Sequence, residues 1–154
     1  MKLKIKYTSA KAEELYKNRA KKLDWKEGDS GIDLSYFDAM GRKCIIPAGG
    51  TGMIPTGVSC QLCETKNDLY EIQIRGRSGL NSKGLLTHLG TVDYNYTGEL
   101  KVVVTNLTQE NFTFNPGDRI GQIVVAQIAK PKIISTEELK NTDRGANGFG
   151  STGL

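Results

Sequence analysis

The chain has 154 residues, of which 38% are hydrophobic and 25% charged, and its formal net charge is +4. This length suits one domain that buries about 70% of the surface its unfolded chain exposes, and the composition excludes a disordered protein. No apolar stretch approaches the ~18 residues of a membrane span, and the lysine-rich start lacks the apolar core of a signal peptide. We therefore expect a single cytoplasmic domain over residues 1–154, with no membrane partner.

The first predicted elements are a short strand, KLKIKY, and the only clear helical pattern, in residues 10–25. In that segment Ala12, Leu15, Tyr16, Ala20 and Leu23 recur at helical spacing. The lysines of the segment could attract nucleic acid, but its interleaved glutamates and its lack of clustered stacking aromatics favour a solvated helix face. We expect no nucleic-acid partner.

The remainder of the chain has the pattern of β-strands. Five strands are predicted from alternation or β-branched enrichment: VSCQL, LYEIQIR, ELKVVVTN, FTF and GQIVVAQI. Glycine-rich turns separate them, as is typical of a sandwich or a barrel. We predict an all-β fold with one short N-terminal helix, and a single capped helical turn from Ser135 to Leu139.

The three cysteines, Cys44, Cys60 and Cys63, are an odd number, which favours reduced thiols over a disulfide framework. The last two form a C-x-x-C motif, which also occurs in redox sites and in zinc half-sites. In an alternating strand, however, residues three apart lie on opposite faces. We interpret the cysteines as small buried apolar residues.

Two polar clusters precede the middle of the chain. In GDSGIDL, Asp33 lies between two apolar residues, so its carboxylate faces away from the core. In RGRSGLNSKG, the glycines allow backbone N–H groups to converge, and Arg77, Ser78 and Gly79 add donors suited to an anion. An Asx turn and a plain hairpin loop are the structural alternatives.

Two further clusters follow. In LGTVDYNYTGEL we expect Asp93 to be partly desolvated, which favours a carboxylate that accepts a proton from water, and Tyr96 to present a flat wall. In NPGDRIGQIVV the amide of Gln122 lies on a strand and can donate to an oxygen. A hairpin with packed aromatic side chains would also explain the first of these.

The chain ends in a glycine-rich segment, residues 142–154. Its G-F-G-S-T-G spelling matches a dinucleotide-binding turn, but that turn requires a following helix, and only one residue follows here. The segment offers N–H, guanidinium and hydroxyl donors, and Phe149 can stack on a base. A disordered terminus is the alternative.

Taken in order, the segments SGIDL, GRSGL, GTVDYNYTG, PGDRIGQ and RGANGFGSTG resemble the five motifs of the dUTP diphosphatase (dUTPase) family. The resemblance runs from about Gly28 to Gly153. It implies a jelly-roll-like β-barrel that forms homotrimers, with each active site assembled from three subunits. It also implies Mg²⁺-assisted hydrolysis of dUTP to dUMP and pyrophosphate, which limits uracil in DNA and supplies dUMP for thymidylate synthesis.

The resemblance also implies roles for individual residues. Asp93 would be the general base that activates water, Tyr96 would press against the deoxyribose, and Asp33 would hold Mg²⁺ through coordinated water. The triphosphate would be lined by Arg77, Ser78, Gly79 and Gln122. Residues 142–154 would form a mobile arm in which Phe149 covers the uracil and the outer phosphates are held by Arg144, Gly150, Ser151 and Thr152.

Two alternative functions remain open at this point. The related dCTP deaminases carry a catalytic glutamate on the strand where this chain has Val103, and an aliphatic residue cannot shuttle protons. A non-catalytic module that senses a nucleotide, with its basic helix bound to an unknown regulatory protein, is the other alternative.

Overall fold

The computed structural model describes residues 1–18, 22–63 and 70–146. Those residues form ten strands and two helices. In chain order the elements are β1 (Lys2–Tyr7), α1 (Ala10–Lys17), β2 (Ile32–Ser35), β3 (Cys44–Ile46), β4 (Thr51–Cys63), β5 (Tyr70–Arg75), α2 (Ser78–Asn81), β6 (Leu85–Thr87), β7 (Gly90–Val92), β8 (Glu99–Asn106), β9 (Phe112–Phe114) and β10 (Arg119–Gln127).

The strands form two four-stranded sheets and one two-stranded sheet. The first sheet has the order β1-β4-β8-β6, the second has the order β2-β10-β5-β7, and β3 pairs with β9. All pairings are antiparallel. The predicted all-β, jelly-roll-like fold is confirmed, although the described strands form separate sheets rather than one closed ring of hydrogen bonds.

The core lies between the two larger sheets and is built from alternate residues of their strands. Leu34, Ile54, Val102, Val104 and Ile123 are all fully buried. Because strand side chains alternate between faces, the residues between these point outward, and the polar clusters lie on that outer side or at strand ends.

The N-terminal helix is shorter than the pattern predicts. Ser9 caps it by accepting a hydrogen bond from the backbone N–H of Ala12 at 3.1 Å, and the helix ends at Lys17, where Asn18 adopts an extended conformation. The prediction that it continues toward residue 25 is wrong, since Leu23 packs against the core from a loop. No helix in the described parts of the chain has both the length and the apolar character needed to cross a bilayer.

Two local predictions also differ from the structure. Ser135–Leu139 contains no helical turn, because the hydroxyl of Thr136 donates instead to the carbonyl of Glu138 at 2.9 Å. The GRSG segment, for which a loop was expected, instead leads into α2: Ser78 and Gly79 begin its single turn and Arg77 is its N-cap.

Candidate active site

Three neighbouring strands bring the first group of predicted residues together. Gln122 on β10 lies opposite Asp33 on β2 and, on its other side, opposite Arg75 on β5. The chain then leaves β5, and Arg77 turns back so that its Nε donates to Oδ1 of Asp33 at 2.8 Å. Nη1 of Arg119 donates to Oδ2 of the same carboxylate at 3.1 Å. Asp33 therefore fixes two guanidinium groups side by side.

The amide of Gln122 is held from two sides. Its Nε2 donates to the carbonyl of Gly76 at 2.9 Å. A Cβ at Gly31 would overlap its Oε1, so the backbone of the neighbouring loop passes directly against this side chain. The side chain is thus oriented before any ligand binds.

These residues line a cavity of about 440 Å³, together with Ser78 and Gly79 at the start of α2. A Cβ at Gly79 would meet nothing within 4 Å, so this turn faces open space. The first N–H groups of a helix have no acceptor within the helix. Backbone donors and guanidinium groups that converge on one cavity suit the oxygens of a phosphate chain.

The second group of predicted residues lies around the turn that follows β7. The backbone N–H of Tyr96 donates to the carbonyl of Asp93 at 3.0 Å, which closes a four-residue turn. Asp93 is exposed, so the expected partial desolvation is wrong for the single chain. The reason is its position, at the end of a short strand on the edge of the sheet.

Tyr96 is fixed in place although its side chain is 46% exposed. Its hydroxyl donates to the carbonyl of Glu99 at 3.1 Å, and its ring packs against Gly98, where an added Cβ would overlap it. With Asp93 and Met53 it lines a cavity of about 360 Å³. This cavity combines a carboxylate with a flat aromatic wall.

The two cavities share no lining residue. Val92, just before Asp93, pairs with Ile72 of β5, whereas Gln122 pairs with Arg75 of the same strand. Three residues along a strand span about 10 Å, and two strand spacings add about 10 Å across the sheet. One chain therefore does not bring Asp93 to the Arg77 and Gln122 cluster.

The terminal segment is described only in part. The backbone N–H of Gly145 donates to the carbonyl of Thr142 at 3.0 Å, so the exposed Arg144 lies in a turn. Phe149, Gly150, Ser151 and Thr152 lie outside the described residues.

The sequence did not indicate every residue that lines the cavity suited to a phosphate chain. Arg119, Lys26 and Asp29 also line it. Arg119 belongs to a motif that was noticed for its glutamine, but its contact with Asp33 depends on strand pairing 86 residues apart. Asp29 lies in the GDSGIDL cluster, from which only Asp33 was predicted as a site residue, and Lys26 lies before that cluster, where no local pattern marks it.

The cysteines are not the basis of a site. All three are free thiols, and Cys60 is buried while Cys63 lies on the other face of β4, as the alternation predicts. Burial raises the pKa of Cys60 to about 11, so this thiol stays protonated and unreactive at neutral pH. Cys44 and Cys63 are only half-buried, which corrects the expectation that all three are core residues.

Comparisons with known proteins place the chain in a family. The sequence profile described as dUTPase matches residues 24–153. A deoxyuridine 5′-triphosphate nucleotidohydrolase of Caldanaerobacter subterraneus is 44% identical over 131 residues, which cover 83% of this chain and 84% of that protein. The protein of the same name in Brucella melitensis is 40% identical over 129 residues, covering 82% and 80%. The chain belongs to the dUTPase family.

Solved dUTPase structures share the fold. A dUTPase of Staphylococcus bacteriophage 80alpha, solved with dUpNHpp, superposes with a TM-score of 0.76 at 22% identity and covers 99% of both chains. The dUTPase of EIAV superposes with a TM-score of 0.67 at 24% identity, over 91% of this chain and all of that one. The family predicted from the five motifs is confirmed.

Proposed function

We propose that this dUTPase-family protein hydrolyses dUTP to dUMP and pyrophosphate by attack of water on the α-phosphorus. The observation that carries the proposal is the preformed donor cluster on β2, on β10 and just after β5, in which Asp33 aligns Arg77 and Arg119 beside the oriented amide of Gln122. Such a cluster suits a triphosphate, and membership of the family supplies the reaction.

The active site is shared between subunits of a homotrimer. Large apolar side chains lie on the outer side of the β1-β4-β8-β6 sheet and on the loop that follows β6: Met53 is 63%, Leu86 44% and Leu89 66% exposed. Beyond β10, Ile133 and Ile134 are 93% and 74% exposed. Exposed apolar surface of this kind favours contact with another protein chain. Because Met53 also lines the Asp93 cavity, covering this face places a second subunit against that cavity.

Each group then has one role. Asp93 of one subunit orients and deprotonates the attacking water, which typically contributes about 10²–10⁴-fold to the rate. Tyr96 beside it packs against the deoxyribose, where a 2′-hydroxyl would clash. In the neighbouring subunit Arg77, Ser78, the N–H of Gly79 and Gln122 bind the triphosphate, and these fixed donors stabilise the charge that develops on its oxygens.

The terminal arm, residues 142–154, completes the site. Phe149 covers the uracil, and Arg144, Gly150, Ser151 and Thr152 bind the outer phosphates. A glycine-rich segment has the conformational freedom to wrap a phosphate chain, and its ordering on binding would exclude water from the reaction.

Mg²⁺ is the expected metal, and the residues present fit an ion held indirectly. Both oxygens of Asp33 already accept hydrogen bonds from guanidinium groups, and no cluster of three or more potential ligand side chains occurs among residues 1–18, 22–63 and 70–146. Mg²⁺ keeps several waters and commonly binds through one or two carboxylates together with substrate phosphates. Asp33 would hold it through water, and the ion would offset charge on the phosphates.

A nucleotide-specificity assay tests the proposal. We expect pyrophosphate to be released from dUTP in the presence of Mg²⁺, and neither UTP nor dTTP to be cleaved at a comparable rate. Tight binding of dUTP without release would instead identify a nucleotide sensor. Ammonia released from dCTP would identify a deaminase, for which Val103, paired with Met53 on β4, provides no proton carrier.

A further inference from the structure

The loop between α1 and β2 presents a lysine to the triphosphate cavity. Locally, Nζ of Lys22 lies 2.7 Å from Oδ2 of Asp24, and Oδ1 of the same carboxylate accepts from the N–H of Trp25 at 3.0 Å. The N–H of Asp29 then donates to the carbonyl of Lys26 at 3.0 Å. These short-range bonds define the loop on both sides of Lys26, which lies at the rim of the cavity that Arg77 and Gln122 line.

Among the described residues, Lys26 differs from the other cations of this cavity in having no partner. Arg77 and Arg119 both donate to Asp33, so part of their charge is offset. Within the described parts of the chain, the ammonium of Lys26 has neither a hydrogen bond nor an ion pair. Asp29, in the same lining, adds a second acidic group. The described lining of the cavity thus has three cationic and two acidic side chains, too little positive charge to offset a triphosphate without the metal.

We propose that Lys26 binds the outer phosphates of the nucleotide. The inference rests on the proposed function and adds a binding residue outside the five family-like segments. A lysine suits this place because its long stem and compact ammonium can follow a phosphate that is not held in a fixed orientation. Its exposed position at the rim, compared with the half-buried Arg77 and Gln122, assigns it to the phosphates farthest from the nucleoside.

Binding measurements with a Lys26→Gln variant test this inference. Trp25 is the only tryptophan of the chain and lies next to Lys26, so its fluorescence reports binding at this loop. We expect affinity for a non-cleavable α,β-imido analogue of dUTP and for inorganic tripolyphosphate to fall about three- to tenfold, because one charge-assisted contact is lost. Affinity for dUMP, which lacks the outer phosphates, should not change.

Two further variants serve as controls. Lys43→Gln removes the same charge from an exposed lysine that does not line the cavity, and it should bind all three ligands like the parent protein. Lys26→Arg should restore most of the lost affinity, and melting temperatures should confirm that all variants are folded.

The outcomes separate this inference from the proposed function. If the parent protein cleaves dUTP but Lys26→Gln binds the imido analogue and tripolyphosphate normally, Lys26 has no phosphate role. An equal loss of affinity in Lys43→Gln would also overturn it, since net charge alone would explain the effect. If the parent protein binds tripolyphosphate through Lys26 yet releases no pyrophosphate from dUTP, the inference stands and the proposed function fails.

Discussion

Among single residues, the proposed chemistry depends most on one exposed carboxylate, that of Asp93. Asp93→Asn keeps the size and polarity of the side chain but removes its ability to accept a proton. We expect the variant to bind the imido analogue of dUTP with nearly parental affinity and to lose about 10²–10⁴-fold in kcat. Single-turnover kinetics with equilibrium binding check this. The neighbouring Asn95→Ala, exposed on the same turn, is the matched control and should retain most turnover. Equal turnover by parent and Asp93→Asn would remove Asp93 from the role of base.

Single residues were predictable where a local pattern marks them. Asp33 was expected to face away from the core because Ile32 and Leu34 flank it, and both of those are buried. Arg119 could not be assigned in the same way, because its carboxylate partner becomes a neighbour only through the pairing of β2 with β10. The environment of Asp93 was predicted incorrectly, because desolvation depends on what covers an edge strand, which the sequence of that strand does not contain.

At the element scale, the helix α1 depends on one buried hydroxyl. The hydroxyl of Tyr16 accepts from the N–H of Ser35 at 3.1 Å and donates to the carbonyl of Thr56 at 2.9 Å, linking the helix to β2 and β4. Burial raises the pKa of Tyr16, so the hydroxyl stays neutral and able to donate. Tyr16→Phe would leave two buried backbone groups without this partner and should lower the free energy of unfolding by about 1–3 kcal/mol.

Urea unfolding measures that loss, and Tyr7→Phe is its control. Tyr7 stacks on Tyr16 with ring centroids 5.8 Å apart, and no hydrogen bond of its hydroxyl is present among the described residues. Removing the hydroxyl of Tyr7 should therefore change the free energy of unfolding by much less. If the two variants unfold at the same urea concentration, the hydroxyl of Tyr16 does not anchor the helix.

The terminal arm gives a second test at the same scale. Removing all residues after Arg144 deletes the glycine-rich run but none of the strands or helices. We expect a sharp loss of turnover with an unchanged circular dichroism spectrum and melting temperature. A truncated protein that turns over dUTP at the parental rate would show that the arm does not close the site.

Elements with a long, regular pattern were predicted most accurately. β1 and β8 were predicted to the residue, because alternation in KLKIKY and β-branched enrichment in ELKVVVTN extend over six and eight residues. The three-residue strand β9, FTF, was also predicted to the residue. β6 and β7 are equally short and were missed, because LLT and GTV show no regular alternation. The end of α1 was missed because apolar spacing continues past Lys17, although Leu23 reaches the core from a loop.

In the whole molecule, the proposed active site is divided between two separate cavities of the chain. The cavity around Asp93 and the cavity around Arg77 have no residue in common, and exposed apolar side chains adjoin the first of them. A symmetric trimer would resolve both features, because it covers the apolar face and pairs each Asp93 with the donor cluster of a neighbour. The five motifs indicate which residues would meet in the site, and the resemblance to the family implies that they come from different subunits, which stays a prediction.

Subunit mixing tests whether Asp93 and Arg77 of one active site come from different chains. Asp93→Asn and Arg77→Gln should each be nearly inactive alone, because each lacks one half of every site. The two variants are unfolded together and refolded as mixed oligomers. In these, a site that takes Asp93 from one variant and Arg77 from the other is intact, so we predict that dUTP hydrolysis returns. For equal mixing, about one site in four should be intact. Activity that stays at the level of the separate variants, in oligomers shown by native mass spectrometry to be mixed, would contradict the account.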